Sequence, residues 1–137
     1  MNLNATSQYA LRVVSFMAIN EQSLYTAKAL ADELKISYKY LTAIMTNLSK
    51  ADIISSMRGR GGGFRFSKAL NEISLLDVLR VMNKFDDQEC VMGHGKCNLE
   101  NKCVMHDLWQ EPKSKVYGMF SDTSLEDVKN AKGSIRI

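Results

Sequence analysis

Proline, glycine and long apolar runs are all scarce in this 137-residue chain. It has one proline and eight scattered glycines, a composition that argues against long disordered tracts. No stretch approaches the roughly 18 apolar residues of a membrane span, and the N-terminus lacks the basic and apolar segments of a secretion signal. We therefore expect a folded, cytosolic protein without a membrane partner, in which one compact domain carries a short extension.

Charge of one sign is not abundant overall, since the net charge is only +3, but its distribution is uneven. Residues 1–85 contain 11 Lys and Arg against 6 Asp and Glu, whereas residues 86–137 contain 7 against 9. Between residues 50 and 68 a single acidic residue, Asp52, stands among five basic ones: Lys50, Arg58, Arg60, Arg65 and Lys68. This concentration favours a polyanionic partner, although most charge runs are simply solvated surface.

Two short amphipathic helices joined by a tight turn are predicted after a first, largely apolar helix over residues 8–19. Thr26 is placed to cap the first of the pair and Ser37 the second. This is a helix-turn-helix pattern, in which the second helix enters the DNA major groove by its N-terminal end. Hydroxyl and ammonium groups suited to phosphates and base edges are concentrated at that end, on Ser37, Tyr38, Lys39, Tyr40 and Thr42.

A glycine-rich turn between two short strands follows these helices. Residues 53–56 and 64–66 have the β-branched and aromatic composition of strands, and the turn between them carries Arg58 and Arg60. Such a hairpin is typical of a wing whose arginines enter the minor groove, although a plain hairpin with solvated arginines stays possible. A nucleotide-binding glycine loop is excluded because a strand, not a helix, follows the glycines. A fourth helix, capped by Ser74, completes a winged helix-turn-helix domain over residues 1–85.

The three cysteines are spaced Cys90-x6-Cys97-x5-Cys103, and His106 follows three residues later. In a reducing cytosol an odd number of thiols favours metal binding or redox chemistry over a disulfide framework. Structural zinc is disfavoured because its ligands usually come in pairs two to four residues apart. An iron-sulfur cluster accepts wider spacings and is the favoured interpretation, while three metal-free, redox-active thiols remain the alternative.

The last third of the sequence predicts a helix that could pair with a second subunit. Its apolar positions form a stripe: Val104, Leu108, Val116, Met119 and Phe120. Pro112 should either kink this helix or begin a new one, and Thr123 with Glu126 resembles a capping box for a final helix. We therefore divide the chain into the winged domain, a cluster-binding cysteine loop over residues 86–103, and a dimerisation helix with a tail over residues 104–137.

Together these features resemble the Rrf-two family of winged-helix transcription regulators, which includes the IscR and NsrR branches. The resemblance is carried by YALR, ISYKYL, RGRGGGF and ISLLDVL, at residues 9–12, 36–41, 58–64 and 73–79, and by the segment 90–106. It implies a homodimer that binds pseudo-symmetric operators, with Arg60 in the minor groove.

The resemblance also implies that Cys90, Cys97 and Cys103 ligate the cluster. For the fourth ligand, His106 matches the IscR-like histidine, whereas the NsrR-like acidic position is occupied here by Gln8, a poor iron ligand. A two-iron two-sulfur cluster is favoured over a four-iron four-sulfur cluster. Thr42 departs from the family pattern, because it stands where IscR has a base-reading glutamate.

The function predicted from the sequence is that of a dimeric DNA-binding transcriptional regulator, not an enzyme. We expect a repressor whose operator binding is controlled by a cluster that senses iron-sulfur status, redox state or nitric oxide. Two alternatives stay open, namely a cluster-free winged-helix regulator that works by thiol oxidation and an iron-sulfur electron carrier.

Overall fold

A computed structural model describes residues 3–20, 24–82, 88–131 and 133. Its α-helices, in chain order, are α1 (Ala5–Ile19), α2 (Ala27–Leu34), α3 (Tyr38–Lys50), α4 (Leu75–Val81), α5 (His106–Asp122) and α6 (Leu125–Asn130). Two strands, β1 (Ile54–Met57) and β2 (Gly63–Phe66), form an antiparallel hairpin, and a 3-10 turn covers Leu70–Glu72. The mainly helical fold with one small hairpin confirms the fold class predicted from the sequence.

The starts of the N-terminal helices are fixed by local side-chain caps. The Thr26 hydroxyl accepts a hydrogen bond from the Ala29 N–H at 3.1 Å, and the Ser37 hydroxyl accepts one from the Tyr40 N–H at 3.3 Å. Both predicted caps are therefore confirmed. Helix α1 begins three residues earlier than expected, because Asn4 accepts the Ser7 N–H at 2.9 Å.

Helices α2 and α3 pack on α1 as the predicted helix-turn-helix. Lys35 ends α2 in the left-handed conformation, with φ 54° and ψ 44°, which turns the chain sharply into α3. The inward faces of the three helices build one apolar core: Ala10, Val13, Val14, Met17, Leu30, Ala31, Leu34, Leu41, Ile44, Met45 and Leu48. Burial of this face leaves the opposite face of α3 in solvent.

The hairpin is anchored to the start of α2 by an additional strand pairing. The backbones of Tyr25 and Phe64 exchange two hydrogen bonds, with N···O distances of 2.9 and 2.7 Å. This approach requires glycine at Gly63, since a Cβ there would lie only 2.8 Å from the Tyr25 carbonyl oxygen. The two-stranded wing is thus joined by an isolated bridge to the segment that leads into α2.

The C-terminal helix returns to the core of the N-terminal half. The Leu75 N–H donates to the Thr123 carbonyl and the Leu125 N–H to the Ile73 carbonyl, both at 2.9 Å. Helix α6 consequently packs against α1, and the Leu125 side chain is fully buried in the common core.

The predicted capping box of Thr123 and Glu126 is wrong by one residue. The box is formed by Ser124 and Asp127, while the Thr123 hydroxyl donates back to the Met119 carbonyl at 2.7 Å. That bond holds Thr123 at the end of α5, so the next hydroxyl serves as the cap. The Ser124 N–H and then its hydroxyl stabilise the carboxylate and hold the pKa of Asp127 below its usual value.

Helix α5 continues through Pro112. Of the two alternatives expected at Pro112, a kink or a new helix, the second is therefore excluded. The missing N–H leaves the Leu108 carbonyl without its helical donor, and the exposed position of Leu108 allows water to replace it. No helix within the described ranges is long and apolar enough to cross a membrane. The predicted boundary between residues 85 and 86 lies outside the described residues, as do residue 132 and residues 134–137 of the predicted tail.

Candidate functional site

The first turn of α3 presents polar side chains to solvent. Ser37, Tyr38 and Lys39 are exposed, and the Tyr38 side chain reaches 60% of its full accessibility. Thr42 is half-buried, and its hydroxyl donates to the Lys39 carbonyl at 2.9 Å. The N-terminal end of α3 therefore offers hydroxyl and ammonium groups on one accessible surface, as a helix that enters a DNA groove requires.

Tyr40 faces α1 instead. Its hydroxyl is hydrogen-bonded to the Thr6 hydroxyl, and its ring meets Tyr9 edge to face with a centroid distance of 5.4 Å. The side chain is half-buried. The Ser37 and Thr42 hydroxyls bond within α3 and its cap, whereas the Tyr40 side chain is engaged by another helix.

The wing tip is accessible. Arg58 and Arg60 are both exposed, and so is Arg65 on β2. Gly61 has φ +76° and the Gly62 N–H donates to the Gly59 carbonyl at 3.0 Å, which closes the turn between the two strands. The two predicted arginines therefore project from a tight, ordered turn.

The cysteine loop begins with a miniature hairpin over residues 88–97. The Cys90 N–H donates to the Gly95 carbonyl at 2.7 Å, and the Cys97 N–H donates to the Gln88 carbonyl at 2.6 Å. These bonds bring Cys90 and Cys97 to the base of the hairpin. Gly95 has φ +78°, a conformation that side chains other than glycine rarely adopt, so the hairpin depends on it.

Cys90 lies at the centre of the three thiols. Its Sγ is 3.5 Å from the Cys103 Sγ. Two thiolates bound to one tetrahedral metal at about 2.3 Å lie about 3.8 Å apart, so this separation suits a pair on a common metal atom. The Met92 N–H lowers the pKa of the Cys90 thiol most strongly, burial opposes it, and the Cys103 thiol and the His94 N–H lower it further. The loop backbone therefore favours the thiolate form of Cys90, which is the form that metal ligation requires.

The thiols and His106 line one cleft of about 460 Å³. His106 is the first residue of α5, its side chain is only 6% exposed, and its N–H donates to the Cys103 carbonyl at 3.0 Å. His94 also lines the cleft, but it is an exposed loop residue. The predicted four-residue set, Cys90, Cys97, Cys103 and His106, is thus brought together by the fold.

The cleft is not arranged around a single ion. In the part of the chain that the structure describes, no three Cys, His, Asp or Glu side chains converge as a site for one metal ion. A cluster with two irons needs only two protein ligands on each iron. The close pair of Cys90 and Cys103, with Cys97 and His106 around the same cleft, would supply these four ligands. Three thiols and one imidazole around one cleft are a donor set that suits an iron-sulfur cluster.

Several groups that shape the cysteine cleft and the start of α3 were not predicted from the sequence. The N–H groups of Met92 and His94 that face Cys90 belong to the backbone, so no residue type identifies them. Thr6 and Tyr9, which hold Tyr40, lie more than 30 positions away from it. For these two residues, the sequence offered one indication of importance, namely that Tyr9 belongs to the YALR motif.

Comparison with known proteins identifies the family. The Rrf2 sequence profile, described as an iron-dependent transcriptional regulator, matches residues 3–131. The chain belongs to the Rrf2 family. A helix-turn-helix-type transcriptional regulator, IscR of Photorhabdus laumondii, is 28% identical over 131 residues, which span 95% of this chain and 80% of that protein.

Solved structures with the Rrf2 winged-helix fold superpose on nearly the whole chain. CymR of B. subtilis, described as a global cysteine regulator, gives a TM-score of 0.80 at 21% identity and covers 95% of this chain and 97% of CymR. IscR of T. potens gives 0.74 at 21% identity and covers 97% and 94%. The comparisons confirm the predicted family and fold, and they confirm that the chain is a transcriptional regulator and not an enzyme.

Proposed function

We propose that this Rrf2 protein is a homodimeric repressor whose operator binding is controlled by an iron-sulfur cluster held by Cys90, Cys97, Cys103 and His106. The observation that carries the proposal is that three thiols and a buried histidine line one cleft at the start of α5. The signal would be iron-sulfur status, redox state or nitric oxide. Because its target is the bacterial chromosome, we place the protein in the cytoplasm.

The proposed DNA interface consists of the exposed end of α3 and the wing tip. Ser37, Tyr38 and Lys39 would enter the major groove, with Thr42 at their edge, while Arg58 and Arg60 would reach the backbone and the minor groove. Exposure of these side chains supports the assignment. We assign Tyr40 a different role, since its hydroxyl is already engaged with Thr6.

Replacement of Arg60 or Lys39 with Ala should weaken operator binding, because each cation that contacts a phosphate releases a counterion from DNA. We expect a loss of about 1–3 kcal/mol for a base contact, and a fall of about 1 in the slope of log K against log salt for a phosphate contact. Fluorescence anisotropy at several salt concentrations measures both. Lys129→Ala on α6, at an exposed position, is the matched control for loss of one charge; equal effects of all three variants would contradict the proposed interface.

Helix α5 is the proposed dimerisation element. Two apolar side chains of the predicted stripe are strongly exposed on α5, Leu108 at 69% and Met119 at 56%, and a third, Val104 at 83%, lies in the turn just before the helix. Exposed apolar side chains that recur along one helix favour pairing with an equivalent helix, since most soluble homo-oligomers are two-fold dimers. A dimer would also allow its two α3 helices to enter successive major grooves of the DNA.

The fourth cluster ligand is proposed to be His106 rather than Gln8. The Gln8 side-chain amide donates to the Leu3 carbonyl at 2.6 Å, so a local hydrogen bond already holds this side chain. His106 instead lines the cleft with the three cysteines. A two-iron cluster with three thiolates and one imidazole agrees with this donor set.

A bound cluster would supply a centre that oxidants and nitric oxide can alter. The chain's own residues would connect this centre to DNA binding. His106 begins α5, and further along that helix the Tyr117 hydroxyl accepts a hydrogen bond from Arg80 on α4, whose guanidinium also lies over the Tyr117 ring. Displacement of His106 would therefore shift α5 relative to the winged unit and change the separation of the two α3 helices.

A second candidate mechanism uses the thiols without a cluster. The 3.5 Å separation of the Cys90 and Cys103 sulfur atoms favours it, since a small movement would allow a bond between them. The two thiols would be oxidised to one disulfide while hydrogen peroxide is reduced to two water molecules, which take up the two thiol protons. The first step is attack of a thiolate on the peroxide.

Operator binding by different states of the same protein separates the two mechanisms. The states are anaerobically purified protein, the same protein after nitric oxide, reduced cluster-free protein, and cluster-free protein after hydrogen peroxide. Cluster control predicts that loaded and cluster-free protein differ about 5- to 150-fold in affinity. Equal affinities would exclude it. A change only after peroxide, with a Cys90–Cys103 disulfide found by peptide mapping, would favour the thiol mechanism.

A further inference from the structure

A network of hydroxyl and aromatic groups joins α1 to both helices of the helix-turn-helix. On one side, the Tyr40 hydroxyl is hydrogen-bonded to Thr6, and the Tyr40 ring contacts Tyr9 edge to face at an interplanar angle of 79°. On the other side, the Arg12 guanidinium lies 5.4 Å from the Tyr9 ring centroid and donates to the Leu34 carbonyl at 3.2 Å. The network thus reaches the first turn of α3 and the last turn of α2.

These contacts are directional, unlike the rest of the packing of α3. The buried residues of α3, such as Leu41 and Ile44, determine which face of the helix meets the core, but apolar contact is non-directional and does not define a precise angle. A hydroxyl–hydroxyl bond and an edge-to-face ring pair both require a defined angle. They lie one residue away from Lys39, so they fix the orientation of the turn that faces DNA.

We propose that Tyr40 and Thr6 are positioning residues for DNA recognition: their bond sets the rotation of α3, and thereby sequence discrimination, without contact to a base. The inference rests on the proposed DNA interface of α3. Base-reading hydrogen bonds need donor and acceptor within a few tenths of an ångström, so a small rotation of α3 weakens them. Phosphate attraction depends less on angle, so binding to unrelated DNA is retained.

The test uses Tyr40→Phe, Thr6→Val and the double variant, with a duplex that the wild-type protein selects from a random-sequence pool. Removal of either hydroxyl should lower affinity for this duplex about 3- to 10-fold, the typical effect of one lost hydrogen bond, and the double variant should lose no more than either single variant. Affinity for a random-sequence duplex should stay within about 2-fold of wild type.

A matched control separates positioning from other roles. Thr6→Ser keeps the hydroxyl and should retain full discrimination. Circular dichroism establishes that each variant is folded at the assay temperature; Thr6→Ala replaces Thr6→Val if the latter does not fold.

Three results would overturn the inference. Loss of affinity in Tyr40→Phe but not in Thr6→Val would mean that the Tyr40 hydroxyl contacts DNA directly. Equal losses on selected and random duplexes would mean that the network acts only on stability, and unchanged affinity in both variants would mean that the bond does not matter. Failure of the wild-type protein to select any duplex would instead contradict the proposed DNA interface itself, which keeps the two failures distinct.

Discussion

Substitution of Cys90, Cys97 or Cys103 with Ser should abolish the visible absorbance of anaerobically purified protein and its stoichiometric iron and sulfide. A serine hydroxyl is deprotonated far less readily than a thiol and is a harder ligand, so each replacement removes a soft donor that iron-sulfur clusters require. Because the chain contains only these three cysteines, no other thiol can substitute for them. Retention of the chromophore by all three variants would contradict cluster ligation by these residues.

A comparison of the two histidines, His106 and His94, gives the sharper part of this test. His106→Ala should destabilise the cluster, with faster loss of absorbance in air and a changed reduction potential, because an imidazole ligand shifts the potential of a cluster. His94→Ala is the matched control: it lines the same cleft but is exposed. If the His94 variant loses its cluster and the His106 variant keeps it, the assignment of the fourth ligand is wrong.

Leu125→Ala should cost about 2–5 kcal/mol of unfolding free energy, the usual range for a buried leucine that leaves a cavity. Leu125 is fully buried where α6 packs on α1, and its N–H is bonded to the Ile73 carbonyl. Its loss would loosen the attachment of the C-terminal helices to the winged unit.

Urea denaturation at a fixed protein concentration measures the Leu125 effect, since the stability of the proposed dimer would depend on concentration. Leu99→Ala is the control, because Leu99 is 76% exposed and a surface change of this kind should stay within about 0.5 kcal/mol. A Leu125 variant as stable as the Leu99 variant would show that α6 contributes little to the core.

Features that depend on residues close in sequence could be predicted well. The caps at Thr26, Ser37 and Ser74 each involve a hydroxyl and an N–H three residues later, so the motif itself contains both partners. The glycine-rich turn between two strand patterns was equally local. At residues 123–127 two overlapping capping boxes were possible, Thr123 with Glu126 and Ser124 with Asp127. The hydrogen bond from Thr123 back to the Met119 carbonyl favours the second.

Features that depend on distant residues could not be predicted. The pairing of residue Tyr25 with Phe64 joins segments almost 40 positions apart, and no alternating pattern marks Tyr25 as a strand. The inward orientation of Tyr40 depends on Thr6 and Tyr9. For the cysteine loop, the spacing indicated a shared centre, but the 3.5 Å contact of Cys90 with Cys103 follows from the hairpin and from the start of α5.

The pairing of residue Tyr25 with Phe64 has a consequence for how such a regulator would respond to a signal. Residue Tyr25 directly precedes the cap of α2, so the root of the wing and the helix-turn-helix are joined by backbone hydrogen bonds. We therefore expect the wing tip and α3 to move together, so that the proposed footprint of one subunit keeps a constant length in base pairs. We therefore expect a signal to alter the preferred spacing between two half-sites, while the sequence read within each half-site stays the same.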